Sequence, residues 1–463
     1  MSDWVLKPLG ELISLQRGHD LPSQDRVAGS VPIMGSSGIT GFHNKAKISG
    51  PGVVVGRSGN SMGEVSFSSE DYWPLNTCLY ITDFKGNDVR YIYYLLKTIN
   101  FDQFNSGSAQ KSLNRNAVYP YEVKTTTCKE EQERIRRVLA NLEDKIELNR
   151  QTNQTLEHIA QAIFKSWFVD FEPTRAKIAA IENGQDPERA AMCAISGKSS
   201  DELALLGAEQ IEQLKATAAL FPEVLVKSEL GEIPEGWSEK TINDLSTTVA
   251  MGPFGSNIKV DTFVEQGIPI INGQQLRGIM LTDSDNNFIT PEHADRLSKS
   301  NVFRGDIVIT HRGTLGQVSI VTEGSQYDRY IASQSQCFIR PNRELISPVF
   351  LAFYFHSYIG QHELFSYKSQ VGVPAIAKPV TNLKKIELVT PSKVISDQFE
   401  KVVTSLQAKM TKNIEESSSL GSIRDTLLPK LLSGELTPYS NAAKFIKSDM
   451  LNNTPATAEA SPQ

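Results

Sequence analysis

Apolar residues recur along this chain in two different rhythms, and the slower one appears twice. In EEQERIRRVLANLEDKIELNRQTNQTLEHIAQAIFKSWFVDF (130–171), Ile135, Leu139, Leu142, Ile146, Asn149, Asn153, Leu156, Ala160, Ile163 and Trp167 follow one another at steps of four and three. That spacing predicts a long helix with a coiled-coil seam. In 394–436 it returns as Phe399, Val403, Leu406, Met410, Asn413, Ser417, Leu420, Arg424, Leu427 and Leu431. Offset by 264 residues, the two stretches match without a gap: Ile135 falls on Phe399, Ile159 on Ile423 and Trp167 on Leu431. Asn149 falls on Asn413, so both seams turn polar near their middle. A buried Asn costs stability and fixes register, and that role is expected of Asn149 and Asn413. Each helix is roughly 60 Å long at about 1.5 Å per residue. A helix of that length outruns one β module, so the two are expected to pair antiparallel rather than lie each on its own module. Pro429 should end or kink the second helix.

The faster rhythm fills the segments ahead of the helices. VPIMG, PGVVVGRSGN and CLYITDF are short apolar runs broken by Gly, Ser and Asn, as strands and turns are. A helix fits DVRYIYYLLKTIN at 88–100. Residues 237–393 repeat the plan. Trp4…Leu12 corresponds to Trp237…Leu245, Val31-Pro32-Ile33 to Ile268-Pro269-Ile270, and Val54-Val55-Gly56-Arg57-Ser58-Gly59 resembles Ile309-Thr310-His311-Arg312-Gly313. SPVFLAFYFHSYIG at 347–360 stands in for the first module's helix. The fold class is therefore α+β, a duplicated architecture of two β-rich modules (1–128 and 237–393) and two long helices (129–171 and 394–436). An Ala-, Glu- and Leu-rich insert at 172–236 should form short helices ending at Pro222. The tail, 437–463, is rich in Asn, Ala, Ser and Pro and is expected to be disordered beyond Tyr439.

Charge changes this picture little. The net charge of −6 is confined mainly to 172–235, which carries −6 by itself; 1–129 is +2 and 236–393 is +1. Nearly neutral modules can bind DNA through a local basic face, with a basic partner supplying more phosphate attraction. Cys78, Cys128, Cys193 and Cys337 are far apart and form no C-x-x-C, which points to a reducing cytoplasm. No apolar run nears the ~20 residues of a membrane span, and MSDWVLKPLG is no signal peptide.

Catalytic patterns are missing from the sequence. It holds no Asn- or Asp-Pro-Pro-aromatic motif for amino methylation, and its seven histidines show no metal-ligand spacing. His158, on the first helix, reads as a solvated or partner-facing residue. Gly197-Lys198-Ser199 echoes a phosphate loop, but Met192 replaces its first Gly and no strand leads into it. The residues that remain suit base reading, in which Arg pairs with guanine and Asn or Gln with adenine. In the first module they are Arg57, Ser58, Asn60, Gln110, Lys111, Asn114 and Arg115; in the second, Gln274, Gln275, Arg277, Arg312, Thr314, Lys368 and Gln370. Lys111 and Lys368 suit phosphate contacts. For each of them the plainer reading is a polar residue in a surface turn. Gly56, Gly59, Gly313 and Gly316 suit tight turns.

Three features together resemble the specificity subunit of a type I restriction-modification system. They are the helix KIELNRQTNQTLEHIAQAIFKSWFVDFEP, its weaker counterpart ending LLPKLLSGEL, and the alternation of β-rich module and long helix over about 1–438. The resemblance implies that each module is a target recognition domain for one half of a split sequence in double-stranded DNA. It implies helices that act as a ruler and bind two modification subunits, which carry S-adenosylmethionine and methylate adenine. Two restriction subunits would add ATP- and Mg-dependent translocation and cleavage, so this chain would hold no cofactor and no metal. An orphan or regulatory specificity protein that binds DNA without a full complex is the alternative. The acidic insert departs from a simple linker.

Overall fold

The computed structural model describes residues 4–107, 110–283, 286–369 and 372–438. It contains two compact units, Met1–Arg150 with Ile414–Gln463, and Gln151–Asn413.

The first unit is built on a four-stranded sheet in the order Ser14–Arg17, Cys78–Asp83, Gly52–Gly56, Val65–Ser68. GVVVG is buried along its whole length, as an unbroken apolar run in a central strand should be. A second sheet pairs Val31–Gly35 antiparallel with Gly38–His43 and parallel with Trp73–Pro74. Trp4–Pro8 and Glu122–Thr126 form an antiparallel ribbon at the two ends of the module. The Val89–Lys97 helix starts where the Asp88 side chain accepts from Tyr91 N–H at 2.8 Å, a helix N-cap. Its Ile92 and Leu95 share one core with Val53, Val55, Leu79 and Ile81.

The second unit repeats this topology. Its sheet runs Ser246–Met251, Gln336–Pro341, Ile307–Thr310, Val318–Ile320. Ile268–Ile271 again pairs antiparallel with the strand that follows it, Asn287–Ile289, and parallel with a later one, Arg329–Ala332. The ribbon is Ser238–Thr241 with Glu387–Thr390. The Pro348–His356 helix, capped by Ser347, is apolar all round and buried from Pro348 to Phe355.

Each unit also holds one half of each long helix. The helices are Lys129–Phe168 and Lys393–Leu432. In the first unit Ile135 and Leu139 share a core with Leu431 and Leu432, and the halves run antiparallel. Arg424 occupies a seam position. It is compensated by Glu143, 3.7 Å away, whose carboxylate also accepts from Tyr94 Oη at 3.0 Å. Gln132, 1% exposed, ties the helix start to the module by donating to Thr126 O and accepting from Asp88 N–H, at 2.8 and 2.9 Å. In the second unit Phe399 sits among Phe164, Trp167 and Phe168, at ring-centroid distances of 5.7, 6.1 and 5.2 Å. The helices thus do both things that the sequence set against each other. Their outer turns pack on the β modules, and their inner turns pair.

Ile159 and Ile423, which coincide in sequence outside the seam positions, are 44% and 47% exposed. Pro429 does not end its helix, which continues to Leu432. The ring removes one backbone donor, and the proline's own carbonyl still accepts from Ser433 N–H at 2.9 Å. The buried Leu431 and Leu432 hold that last turn in place.

The insert folds as helices Glu172–Glu182, Pro187–Ser196, Ser200–Leu203 and Ala208–Ala218, with a hairpin after Pro222. Gly197 is a left-handed helix C-cap at φ 65°, and Ser199 caps the next helix with Glu202. Gly197-Lys198-Ser199 is therefore a connection between helices, not a phosphate loop.

Candidate nucleic-acid interface

Two loops that are distant in the sequence meet at one end of each module's main sheet, and they meet in the same way in both modules. In the first, Leu113 N–H donates to Arg57 O at 2.8 Å and Gly59 N–H to Lys111 O at 3.0 Å. In the second, Ile376 N–H donates to His311 O at 2.8 Å and Gly313 N–H to Pro374 O at 2.9 Å. Ser106 N–H to Ser112 O and Ser369 N–H to Ala375 O complete the match. Gly59 and Gly313 have φ of 82° and 95°, which suits glycine.

The strand registers make the equivalences explicit. Val55 pairs with Leu79 and Val65, as Ile309 pairs with Cys337 and Val318. Arg57 therefore corresponds to His311, and Arg312 takes the place of Ser58. Side chains at the Arg57 position bond the same neighbouring carbonyl. Arg57 Nη1 donates to Asn76 O, and His311 Nε2 meets Gln334 O, both at 3.2 Å. His311 is buried, and burial lowers its pKa, so it is a neutral donor that fixes the loop.

In the first module this arrangement joins the two predicted clusters. Arg57, Ser58 and Asn60 lie beside Gln110, Lys111, Asn114 and Arg115 through the Ser58–Ser112 bridge. An open cleft of about 880 Å³ results, whose lining includes Arg17, His19, Arg57, Ser112, Asn114 and Arg115. Arg115 Nη1 donates to Leu15 O at 2.9 Å. The Asn114 side chain caps a short helix by accepting from Asn116 N–H. Lys111 is in an ion pair with Asp102 at 2.7 Å, so a phosphate must compete with that carboxylate. Asn60 and Gln110 are exposed. Arg17 and His19 were missed because a single sequence does not show that the end of the Ser14–Arg17 strand faces these loops.

The second module spreads its candidates further. Arg312 and Lys368 lie on the paired loops, at bridges to Ala375 and Ile376. Thr314 is exposed beside them. Gln370 lies outside the described residues. Gln274 and Arg277 are exposed on a separate loop, where Arg277 Nε donates to Gln274 O at 3.0 Å. Ile279 N–H donates to Glu157 Oε1 at 3.3 Å and ties that loop to the first long helix. Gln275 is not presented to solvent. It is 1% exposed and accepts from Asn272 N–H at 3.0 Å, closing the turn from inside. Arg277, Gly316, Gln317, His356 and Gln361 line a smaller cleft of about 490 Å³.

The polar centre of the helices is equally specific. Asn149, 3% exposed, donates from Nδ2 to Glu416 Oε2 at 2.7 Å and to Ser417 Oγ at 3.3 Å. That hydrogen bond and Lys145 lower the Glu416 pKa. In the other unit Asn413 Nδ2 donates to Asn153 Oδ1 at 2.7 Å. Asn153 matches Ser417 under the 264-residue offset, so the two contacts are one contact duplicated.

Among the described residues no cluster of three His, Cys, Asp or Glu could hold a metal ion, and no helix is long and apolar enough to cross a membrane. Fold and clefts together define a class of duplicated protein with an open, polar cleft in each module.

Comparison with known proteins gives that class its family. Residues 1–158 and 234–416 match the family described as type I restriction modification DNA specificity domain. The HindI type I restriction enzyme specificity subunit of Haemophilus influenzae is 35% identical over 324 residues, covering 66% of this chain and 68% of that protein. The MjaIX specificity subunit of Methanocaldococcus jannaschii is 24% identical over 364 residues, 75% of this chain and 68% of that one. A crystal structure of a type I restriction-modification S subunit from M. genitalium aligns with a TM-score of 0.49 at 16% identity, covering 93% of this chain and 96% of that one. The chain belongs to the type I restriction-modification DNA specificity family. It is the DNA-recognition subunit of such a system and not its catalyst.

Proposed function

We propose that each module reads one half of a bipartite target in double-stranded DNA and that the long helices set the spacer between the halves. The observation that carries this reading is the shared hydrogen-bonded loop pair, built on the same backbone in both modules but bearing different side chains. A constant frame with variable polar groups suits two specificities, because phosphate contacts position a protein and base-edge contacts specify sequence. Both long helices pass through the points where the units divide, at Arg150 and at Asn413.

In this reading the chain also gathers two modification subunits and two restriction subunits. S-adenosylmethionine, ATP and Mg belong to those partners. Exposure of Ile159 and Ile423 at matching positions of the duplicated helix favours two like docking faces. The target adenine is flipped into the modification subunit, not into this chain. The four free cysteines suit a cytoplasmic complex.

The test is replacement of residues 1–128 by the corresponding module of another specificity subunit. Sequencing of methylated sites should show one half-site changed and the other retained. Change in both halves, or in neither, refutes the reading.

A further inference from the structure

Module 1 has five arginines, at 17, 26, 57, 90 and 115, and three of them line one cleft. Elsewhere in this unit most arginines are paired with carboxylates, as Arg90 is with Asp144 at 2.7 Å and Arg136 with Asp88 at 3.1 Å, while Arg26 donates from Nε to Leu21 O at 3.4 Å. Among the described residues Arg17, Arg57 and Arg115 take part in no ion pair. One carboxylate, Asp20, shares the lining, and its Oδ1 accepts from Asn76 Nδ2; three guanidinium groups outnumber it in one concave site, so the arrangement suits a ligand rich in acceptors.

The three are not alike. Arg57 is partly buried, and its contact with a neighbouring carbonyl is reproduced by His311 in the other module. Its part is to hold the loop. Arg115 is exposed yet anchored through Nη1 to Leu15 O, which leaves the rest of its guanidinium edge in a set direction. Arg17 stands exposed at the end of the neighbouring strand. Its equivalent in module 2, by pairing with Cys337 as Arg17 pairs with Leu79, is Met251. The arginine cluster is thus peculiar to the first module. An anchored guanidinium forms a pre-oriented fork, and in the major groove that fork matches guanine O6 and N7.

We propose that Arg115, with Arg17 beside it, is a base-reading residue of module 1, and that the half-site read by this module contains guanine at the position they reach. This rests on the assignment of one half-site to each module.

The test uses the full chain assembled with its modification subunits. Methylated-site sequencing is run for the wild type, Arg115→Lys, Arg115→Ala and Arg17→Ala, with binding measured as a function of salt. Lys keeps the charge but loses the two-pronged geometry. Arg115→Lys should therefore relax one guanine position in one half-site, with roughly ten- to a hundred-fold less discrimination there and an unchanged salt slope. Arg115→Ala should relax the same position and Arg17→Ala that position or its neighbour, with thermal melts of both variants close to wild type. Uniform weakening over all sequences, with a salt slope lower by about one, makes these residues phosphate contacts and overturns the proposal. A module 1 half-site without guanine also overturns it. A wild-type motif that is not bipartite sinks the underlying assignment instead, so the two failures are distinguishable.

Discussion

Asn413 Nδ2 donates to Asn153 Oδ1 at 2.7 Å, and Asn153 Nδ2 donates in turn to Met410 O at 3.1 Å. Asn149 and Ser417 repeat the contact in the other unit. Polar side chains at a helical seam cost stability, yet they are satisfied in one register only.

Removing one partner should therefore cost more than removing both. Asn413→Ala leaves Asn153 short of a hydrogen bond and should destabilise the protein by about 1–2 kcal/mol. The double change Asn153→Leu with Asn413→Leu should be neutral or stabilising, while methylated sites acquire mixed spacer lengths. Denaturant melts and site sequencing read the two effects. A double variant with one unaltered spacer length rules out the register lock.

Acid should weaken the second module through its histidines. Burial depresses the pKa of His311 and of His356, whose Nε2 meets Val318 O at 2.7 Å. A depressed folded-state value means that the unfolded chain takes up protons first. Stability is full above about pH 6.5 and falls as pH drops from there through the folded-state values. The opening free energy of the Gln336–Pro341 strand, read by hydrogen exchange corrected for the intrinsic pH dependence of amide exchange, should fall between pH 7 and 5, and His311→Gln should remove part of that slope. A flat profile contradicts the buried neutral assignment.

Two glycines test the equivalence of the modules. Gly18 and Gly252 donate to Cys78 O and Gln336 O, paired positions in the two sheets. A Cβ at either would lie 2.1 Å from Leu75 O or 1.8 Å from Ser333 O. Gly18→Ala and Gly252→Ala should each destabilise their own unit by roughly 2 kcal/mol or more, an overpacking cost. Tolerance of one and not the other, by thermal melting, would show that the corner is not shared.

Much of this was legible in the chain because one signal was long. A 3.5-residue repeat sustained over about forty residues leaves few alternatives to a helix, and a gap-free match to a second copy implies duplication. The polar seam positions were visible for the same reason, although their partners, Glu416 and Ser417 for Asn149 and Asn153 for Asn413, were not. The candidate surfaces were harder. Arg57 and Arg115 are 58 residues apart, and a strand bridge through Ser58 and Ser112, not local sequence, brings them together. Gln275 and Arg277 look equally exposed in INGQQLRG, but the turn buries one and presents the other. Lys111 suits a phosphate contact in the sequence, but Asp102 lies beside it in an ion pair. Pro429 does not end its helix, because the buried Leu431 and Leu432 beyond it hold the last turn in place.

The division of labour between modules and helices is tested most directly by inserting one helical turn, four residues, after Arg150 and another after Asn413. The insertions leave Asn149–Ser417 and Asn153–Asn413 intact within their own units. Four residues add about 6 Å, or one to two base pairs at 3.4 Å each. Sequencing of methylated sites should find both half-sites unchanged and the spacer between them longer by that amount. Altered half-site sequences, or an unchanged spacer, would contradict the account.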